Sequence, residues 1–283
     1  VVANAMVTWE TATILNMGVD FGFFHNRLYG SFDVYKKNTK NILYTRDIPA
    51  LVGLAAAPQN IAEVQNKGWE LVLSWADQVK KFNYGVDISL SDVQNKVISL
   101  NGKPIYGLNA TIEGEEFQAF YGYETLGIYR SDDDLAKYPK INSNVKLGDL
   151  IYKDQNNDGK IDATDKKVIG SNIPRYTYGV TLHAGWQNFN LSVFLQGVGK
   201  KSVYYLSTNP SYGGNYATFQ LNRFVPDDAV TYQTATWPRL ATLNSSPNYE
   251  DNSFYLFNAA YLRCKTINFS YDVTKNILGN INL

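Results

Sequence analysis

Residues 176–195 read Tyr176-Thr-Tyr-Gly-Val-Thr-Leu-His-Ala-Gly-Trp186-Gln-Asn-Phe189-Asn-Leu-Ser-Val-Phe-Leu195. Apolar and polar side chains alternate on both sides of the dipeptide Gln187-Asn188, and a period of two places one set on each face of a β-strand. The polar dipeptide between the two runs indicates a tight turn. The segment therefore predicts a β-hairpin with one apolar face and one polar face.

The same alternation recurs along the chain. Further runs occur at 15–23, 28–35, 69–75 and 82–91, and another strand ends at Tyr271. Tight turns are expected at 25–26, 76–81 and 187–188, and long links at 45–60, 92–175 and 198–255. Runs of about ten residues with aromatic ends, joined by short turns on one side and long loops on the other, are typical of outer-membrane barrels. The predicted fold class is all-β: an antiparallel transmembrane β-barrel portion with long extracellular loops.

Two alternatives share part of this pattern. A soluble, calcium-dependent, carbohydrate-binding β-sandwich would show the same alternation with its apolar face turned inward. The two folds differ in whether Leu15, Val19 and Leu182 are exposed or buried. A secreted glycosidase is the third reading, and it needs a cleft with two carboxylates at a hydrolytic separation.

Composition narrows the functional classes. The 283 residues carry 26 Lys and Arg against 26 Asp and Glu, and only 18% are charged while 14% are aromatic. This profile favours a surface or secreted β-protein over a helical cytosolic enzyme. A pI near 6.9 without a basic stripe disfavours nucleic-acid binding. Two His, one Cys and no recognisable catalytic motif predict a non-enzymatic protein.

The ends and the hydropathy of the chain support two further expectations. The sequence opens with Val-Val-Ala-Asn-Ala-Met and has no features of a signal peptide, so we expect a piece of a longer protein. The longest apolar run, residues 51–57, is far shorter than the about 18 residues of a transmembrane helix.

One loop has the spacing of a calcium site. Residues 154–165 read Asp154-Gln-Asn156-Asn-Asp158-Gly159-Lys160-Ile161-Asp162-Ala-Thr-Asp165. Oxygen-bearing side chains at loop positions 1, 3, 5, 9 and 12, with Gly at position 6, can wrap one Ca²⁺. We predict a structural Ca²⁺ held by the side chains of Asp154, Asn156, Asp158, Asp162 and Asp165 and by the carbonyl of Lys160. The alternative is an Asp/Asn turn without metal.

Three tyrosines in the link that follows residue 198 are candidate contacts for a ligand or partner. Tyr205, Tyr212 and Tyr216 lie among Asn, Ser and Gly, where aromatic rings can stack on a sugar or pack on a protein surface. Surface β-proteins also carry such loops without a ligand. His183 falls on the polar face of its strand and is predicted to line a lumen.

The chain resembles the SusC-like TonB-dependent outer-membrane transporters in a series of short segments that follow the family's order. These segments are Ile14-Leu-Asn-Met-Gly-Val-Asp20, Phe32-Asp-Val-Tyr35 to Leu43, Asn66-Lys-Gly-Trp-Glu70, Tyr123-Glu-Thr-Leu-Gly127-Ile-Tyr129, Gly148-Asp-Leu-Ile-Tyr-Lys153, Ile169-Gly170 and Tyr261-Leu-Arg263. Together they cover nearly the whole chain, although the terminal aromatic residue expected of such barrels is missing.

The resemblance implies a bacterial outer-membrane importer with a 22-stranded barrel and an N-terminal plug. It would take up oligosaccharides or peptides with energy from TonB, under a SusD-like surface lipoprotein. Residues 1–283 would be the C-terminal part of one barrel domain, with about eight strands and without the plug domain, through which TonB would act. Residues 92–175 would form a long extracellular loop region that carries the calcium-like loop 154–165.

Overall fold

The computed structural model describes residues 6–45, 53, 57–102, 104–205, 218–241 and 247–273. This part of the chain is mostly β-structure. The strands are β1 (Thr11–Phe23), β2 (Leu28–Thr45), β3 (Pro58–Val79), β4 (Phe82–Ser99), β5 (Asn109–Ala110), β6 (Ala119–Tyr123), β7 (Thr125–Ile128), β8 (Leu150–Tyr152), β9 (Lys166–Gly170), β10 (Arg175–Trp186), β11 (Phe189–Lys200), β12 (Ser202–Tyr204), β13 (Leu256–Asn258) and β14 (Tyr261–Tyr271).

The helices of the described residues are short. They are α1 (Asp132–Lys137), α2 (Thr231–Thr234) and the 3-10 turns Ala163–Asp165, Thr218–Asn222, Pro247–Tyr249 and Ser253–Tyr255. None of these helices has the length and hydrophobicity needed to cross a membrane.

Seven long strands form one antiparallel sheet in the order β1-β2-β3-β4-β10-β11-β14. Adjacent strands are joined at one end by residues 24–27, 80–81 and 187–188, and the connections at the other end are long. The turn at 24–27 contains three consecutive left-handed residues, Phe24, His25 and Asn26, with φ between 56° and 62°. The predicted alternation of short turns and long links is confirmed, with seven strands of the sheet described where about eight were expected.

The two faces of this sheet differ as the alternation predicts. Leu15 is 64% exposed, Val19 55% and Leu182 45%, and each lies on the apolar face. The opposite face carries hydrogen-bonded polar pairs, such as Ser91 with Thr177 and Ser74 with Asp87. Because a sandwich would bury the apolar face, the soluble β-sandwich alternative is wrong.

The strands extend beyond the alternating runs seen in the sequence. β3 begins at Pro58 although its alternation begins at Trp69, and β4 continues to Ser99 although a loop was expected from residue 92. Bulges interrupt the pairing between Thr39 and Leu43 and between Glu63 and Val64. A bulge shifts the register of the two faces. In residues 58–68 and 92–99 apolar residues, such as the buried Ala62, Val64 and Val97, do not alternate regularly with polar ones, so the period of two is lost there.

The long links contribute to a second compact unit. Described residues within 1–103, 173–201 and 259–283 form the sheet unit, and those within 104–172 and 202–258 form the other, which we call the loop unit. Its small sheets are β5-β6-β9, β7-β8 and β12-β13. Its core contains Tyr123, Ile128, Leu150, Tyr152, Ile161 and Tyr255. Local sequence patterns do not show that the described residues within 104–172 and 202–258 share one hydrophobic core.

Candidate functional site

The calcium-like loop connects β8 to β9 in the loop unit. It is anchored at two of its positions, because the Ile161 side chain is only 5% exposed and the Asp165 side chain is fully buried. Ile161 packs in the core with Tyr152 and Tyr255. The loop is therefore fixed to the body of its unit through its second half.

The first half of the loop curls around the carboxylate of Asp154. Asp154 Oδ1 accepts a hydrogen bond from the N–H of Asn157 at 2.6 Å, and Oδ2 accepts one from the N–H of Gly159 at 2.8 Å. Asn157 and Gly159 adopt left-handed backbone conformations, with φ of 60° and 81°. Gly at position 6 thus provides the sharp turn that the motif predicts.

The second half of the loop is closed by Asp165. One carboxylate oxygen accepts from the N–H of Gln155 and the other from the N–H of Asp162, both at 2.8 Å. Asp162 accepts in turn from the hydroxyl and the N–H of Thr164, and these hydrogen bonds lower the pKa of the Asp162 carboxyl. Asp165 therefore ties the beginning of the loop to its end.

The remaining predicted ligands lie on the exposed rim of the loop. Asn156 Oδ1 accepts from the N–H of Asp158, and Asp158 Oδ1 accepts from the N–H of Lys160. In the described residues, no group of three or more His, Cys, Asp or Glu side chains is placed to hold a metal ion. The structure thus does not bring the predicted carboxylates together as a metal-binding group, and the calcium site stays a prediction.

A charged cluster at the base of this loop was not foreseen. Glu124, between β6 and β7, accepts a hydrogen bond from Gln155 at 2.9 Å and pairs with Lys153 at 3.4 Å and with Lys167. The hydrogen bond from Lys167, followed by that from Gln155, lowers the pKa of Glu124 to about 2. We call Glu124, Lys153, Gln155 and Lys167 the base clamp, because these four residues join the two ends of the loop.

A buried polar network holds the strand that enters the loop. Asp149 is fully buried and pairs with Arg239, whose Nη2 lies 3.0 Å from Asp149 Oδ2. Asn248 donates to Asp149 Oδ1 at 2.9 Å and accepts from the N–H of Leu150 at 2.8 Å. In the sequence, Gly148-Asp149 belongs to a segment that resembles the family. The residues that contact Asp149, however, lie about a hundred residues away along the chain.

Tyr205 directly follows β12 and lies on the surface of the loop unit. Its side chain is 38% exposed, and its ring makes an edge contact with Phe257 at 6.1 Å between centroids. Val203 and Phe257, which pair across β12 and β13, are also exposed. Tyr212 and Tyr216 lie outside the described residues.

The polar face of the large sheet carries His183, as expected from the alternation. Its Nε2 lies 2.7 Å from Asp87 Oδ2, and Asp87 Oδ1 accepts from Ser74 at 2.6 Å. These residues lie on β3, β4 and β10, which are neighbours in the sheet. His183 therefore belongs to the hydrogen-bonded polar face of the large sheet.

Comparisons with known proteins agree with this architecture. Residues 1–277 match the family described as TonB dependent receptor-like, beta-barrel. The TonB-dependent receptor P3 of Formosa agariphila is 28% identical over 99% of this chain and 29% of its own length. The TonB-dependent receptor SusC of Bacteroides thetaiotaomicron is 24% identical over 95% of this chain and 26% of its own length.

Solved structures show the same fold. The structure of the RagAB peptide transporter superposes with a TM-score of 0.77 at 22% identity, covering 100% of this chain and 31% of the matched chain. The RagAB peptide importer in the open-open state superposes with a TM-score of 0.73, covering 98% of this chain and 30% of that chain. The chain thus spans less than a third of the length of these relatives. It belongs to the TonB-dependent receptor-like β-barrel family and forms part of the wall of an outer-membrane barrel.

Proposed function

We propose that the parent protein is a non-enzymatic, TonB-dependent importer of oligosaccharides or peptides in the outer membrane. The observation that carries this proposal is the large sheet, which exposes an apolar face and keeps a hydrogen-bonded polar face on its other side. Such a wall suits contact with lipid outside and with a polar passage inside. Relatives named as TonB-dependent receptors and a neighbour named as a peptide transporter support the same role.

The proposed partners follow from the family resemblance. A SusD-like surface lipoprotein would cover the extracellular end, where the long links lie, and TonB would act through the N-terminal part of the parent protein. The match to the receptor named SusC supports a lipoprotein of this kind. The similarity to the RagAB peptide transporter supports a peptide substrate, and the exposed aromatic residues of the loop unit are compatible with a glycan.

The test uses the full-length protein in its native host. We expect it to fractionate with the outer membrane, to co-purify with a lipoprotein, and to support growth on one substrate class only when TonB is intact. Growth on a peptide mixture and on an oligosaccharide mixture, each as the limiting nutrient, separates the two classes. Uptake that is unchanged in a strain without TonB would contradict the proposal.

We further propose that the loop 154–165 binds one structural Ca²⁺. Its ligands would be the side chains of Asp154, Asn156, Asp158, Asp162 and Asp165 and the carbonyl of Lys160. An all-oxygen donor set of this charge suits Ca²⁺, whereas Mg²⁺ requires a tighter octahedron and keeps its waters. The left-handed turn at Asn157 and Gly159 supports the proposal, because it already bends the backbone around Asp154.

Calorimetric titration of the full-length protein with Ca²⁺ tests this site. We expect one saturable site that Asp158→Ala weakens, with Mg²⁺ a poor substitute. Asp133→Ala, an exposed acidic residue on α1, is the matched control and should bind as the wild type does. Equal binding by the wild type and Asp158→Ala would contradict the site.

We also propose that Tyr205, Tyr212 and Tyr216 contact the substrate or the lipoprotein. The exposed ring of Tyr205, supported by Phe257, favours this role, because a rigid ring provides contact area at small entropic cost. Alanine substitutions at the three positions should weaken uptake or lipoprotein binding. Wild-type behaviour of the triple variant in both assays would remove the proposal.

A further inference from the structure

Three lysines lie on the apolar-face side of the large sheet, directly beyond its apolar band. The pairing of β2 with β3 places Val34 opposite Trp69, and the next outward-facing pair is Lys36 opposite Lys67. One further step along, Gln65 pairs with Lys96 of β4. Because side chains two residues apart share a face, Lys36, Lys67 and Lys96 point to the same side as Val34 and Trp69. We call these three residues the outer lysine patch.

The outer lysine patch lies toward the end of the sheet that carries the long connections. Barrels of this family have short periplasmic turns and long extracellular loops. The short turns of this sheet, such as residues 80–81, lie at the opposite end. The patch is therefore at the extracellular boundary of the apolar band. Trp69, in the last row of the band, is the kind of residue that lies at headgroup depth.

The three lysines of the outer lysine patch differ from neighbouring cations in their surroundings. All three lysines are exposed, and among the described residues none of them forms an ion pair. Nearby cations differ in this respect, since Lys40 pairs with Glu63 at 3.7 Å and Arg175 pairs with Asp92. Like charges directly opposite each other on neighbouring strands destabilise a sheet. The direct pairing of Lys36 with Lys67 therefore favours an anion from outside the chain.

We propose that the outer lysine patch binds the phosphate groups of an anionic lipid in the outer leaflet. At this depth the acyl chains of the lipid would lie along Val34 and its apolar neighbours, and the phosphates would reach the ammonium groups. The amide of Gln94, which pairs with Lys67, can donate an additional hydrogen bond. The proposal rests on the outer-membrane location of the chain and is independent of the transported substrate.

The test is native mass spectrometry of the full-length protein in neutral detergent, titrated with lipid A as a phosphorylated lipid. We expect Lys36→Gln/Lys67→Gln/Lys96→Gln to weaken lipid A binding by roughly tenfold or more, and added salt to weaken wild-type binding. The matched control is Lys37→Gln/Lys80→Gln/Lys81→Gln, which removes the same charge. Lys37 is on the polar face and Lys80-Lys81 form a turn at the opposite end, so the control should bind as the wild type does.

A second triple variant distinguishes a loss of charge from a failure to fold. Lys36→Arg/Lys67→Arg/Lys96→Arg keeps the positive charge and should retain binding, and dephosphorylated lipid A should bind weakly to every variant. Four results would overturn the proposal: wild-type binding by the glutamine variant, weak binding by the arginine variant, equal binding of the dephosphorylated lipid, or displacement of lipid A by an equal concentration of inorganic phosphate. These lipid-binding measurements do not depend on whether the protein carries out TonB-dependent uptake.

Discussion

At the scale of single residues, the loop unit depends on carboxylates that have specific cationic partners. Glu124 is shared by two lysines and one amide, whereas Asp149 is fully buried against one arginine and one asparagine. The first cluster is partly exposed and the second is inside the protein. Removing the Glu124 carboxylate should therefore lower the stability of the loop unit less than removing the Asp149 carboxylate.

We predict that acid loosens the calcium-like loop through Glu124. The base clamp lowers the pKa of Glu124 from 4.5 to about 2 in the folded protein, so its stabilisation is complete above pH 4.5 and is lost as the pH falls toward 2. Because the partners are exposed, the effect should be only about 0.5–1 kcal/mol. Hydrogen exchange of residues 153–167 should accelerate over this range in the wild type.

Glu124→Gln is the comparison for that measurement. It should exchange faster than the wild type at neutral pH and show a smaller acceleration between pH 4.5 and 2. Identical pH profiles for the two proteins would contradict the role of the base clamp.

Asp149→Asn should destabilise the loop unit far more strongly. The amide keeps the shape of the side chain but leaves the largely buried guanidinium of Arg239 without its counter-charge, which costs about 3–5 kcal/mol. Hydrogen exchange should increase in residues 146–152 and 247–252. Asp133→Asn on the exposed α1 is the control, and a similar response of the two variants would show that burial of the ion pair is unimportant.

At the scale of elements, the large sheet depends on which face of a strand meets the lipid. Leu182 and Thr181 are neighbours on β10, yet the first side chain is on the apolar face and the second on the polar face. Leu182→Lys should cost about 2–4 kcal/mol if it lies near the bilayer midplane, whereas Thr181→Lys should be tolerated because the polar face is hydrated. Unfolding of the full-length protein in lipid vesicles, followed by tryptophan fluorescence, measures this difference.

The outcome for these two variants also tests the orientation of the sheet. If Thr181→Lys were the more destabilising variant, the assignment of the apolar face to lipid would be wrong. Equal effects would indicate that neither face is in contact with the hydrocarbon of the membrane.

Some strands could be predicted from the sequence, and parts of others could not. β10 and β11 were predictable because Val180, Leu182 and Leu191 alternate with polar residues on one regular ladder. The beginning of β3 was not, because a bulge between Glu63 and Val64 and the irregular order of apolar and polar residues in 58–68 remove the periodic signal. The loop's internal hydrogen bonds follow from its motif, but Glu124 and Lys167 are brought together by tertiary folding, which local patterns do not encode.

At the scale of the whole molecule, the two compact units should respond separately to metal removal. Chelation should accelerate hydrogen exchange in residues 154–165 and in neighbouring parts of the loop unit, because Asp154, Asp158 and Asp162 would repel one another without a cation. Strands of the large sheet, such as β10, should keep their exchange rates. Readdition of Ca²⁺ should restore protection, and equal loss of protection in both units would contradict a local role for the metal.

The loop unit is built from two separate segments of the chain, and this has a consequence for protein engineering and for evolution. The two segments, formed by the described residues within 104–172 and 202–258, share one core and one buried ion pair, as Tyr152 with Tyr255 and Asp149 with Arg239 show. Transplanting one segment into a related barrel would separate these pairs and leave unmatched surfaces. A chimera that exchanges specificity should therefore exchange both segments together, and recombination among relatives should preserve them as a co-inherited pair.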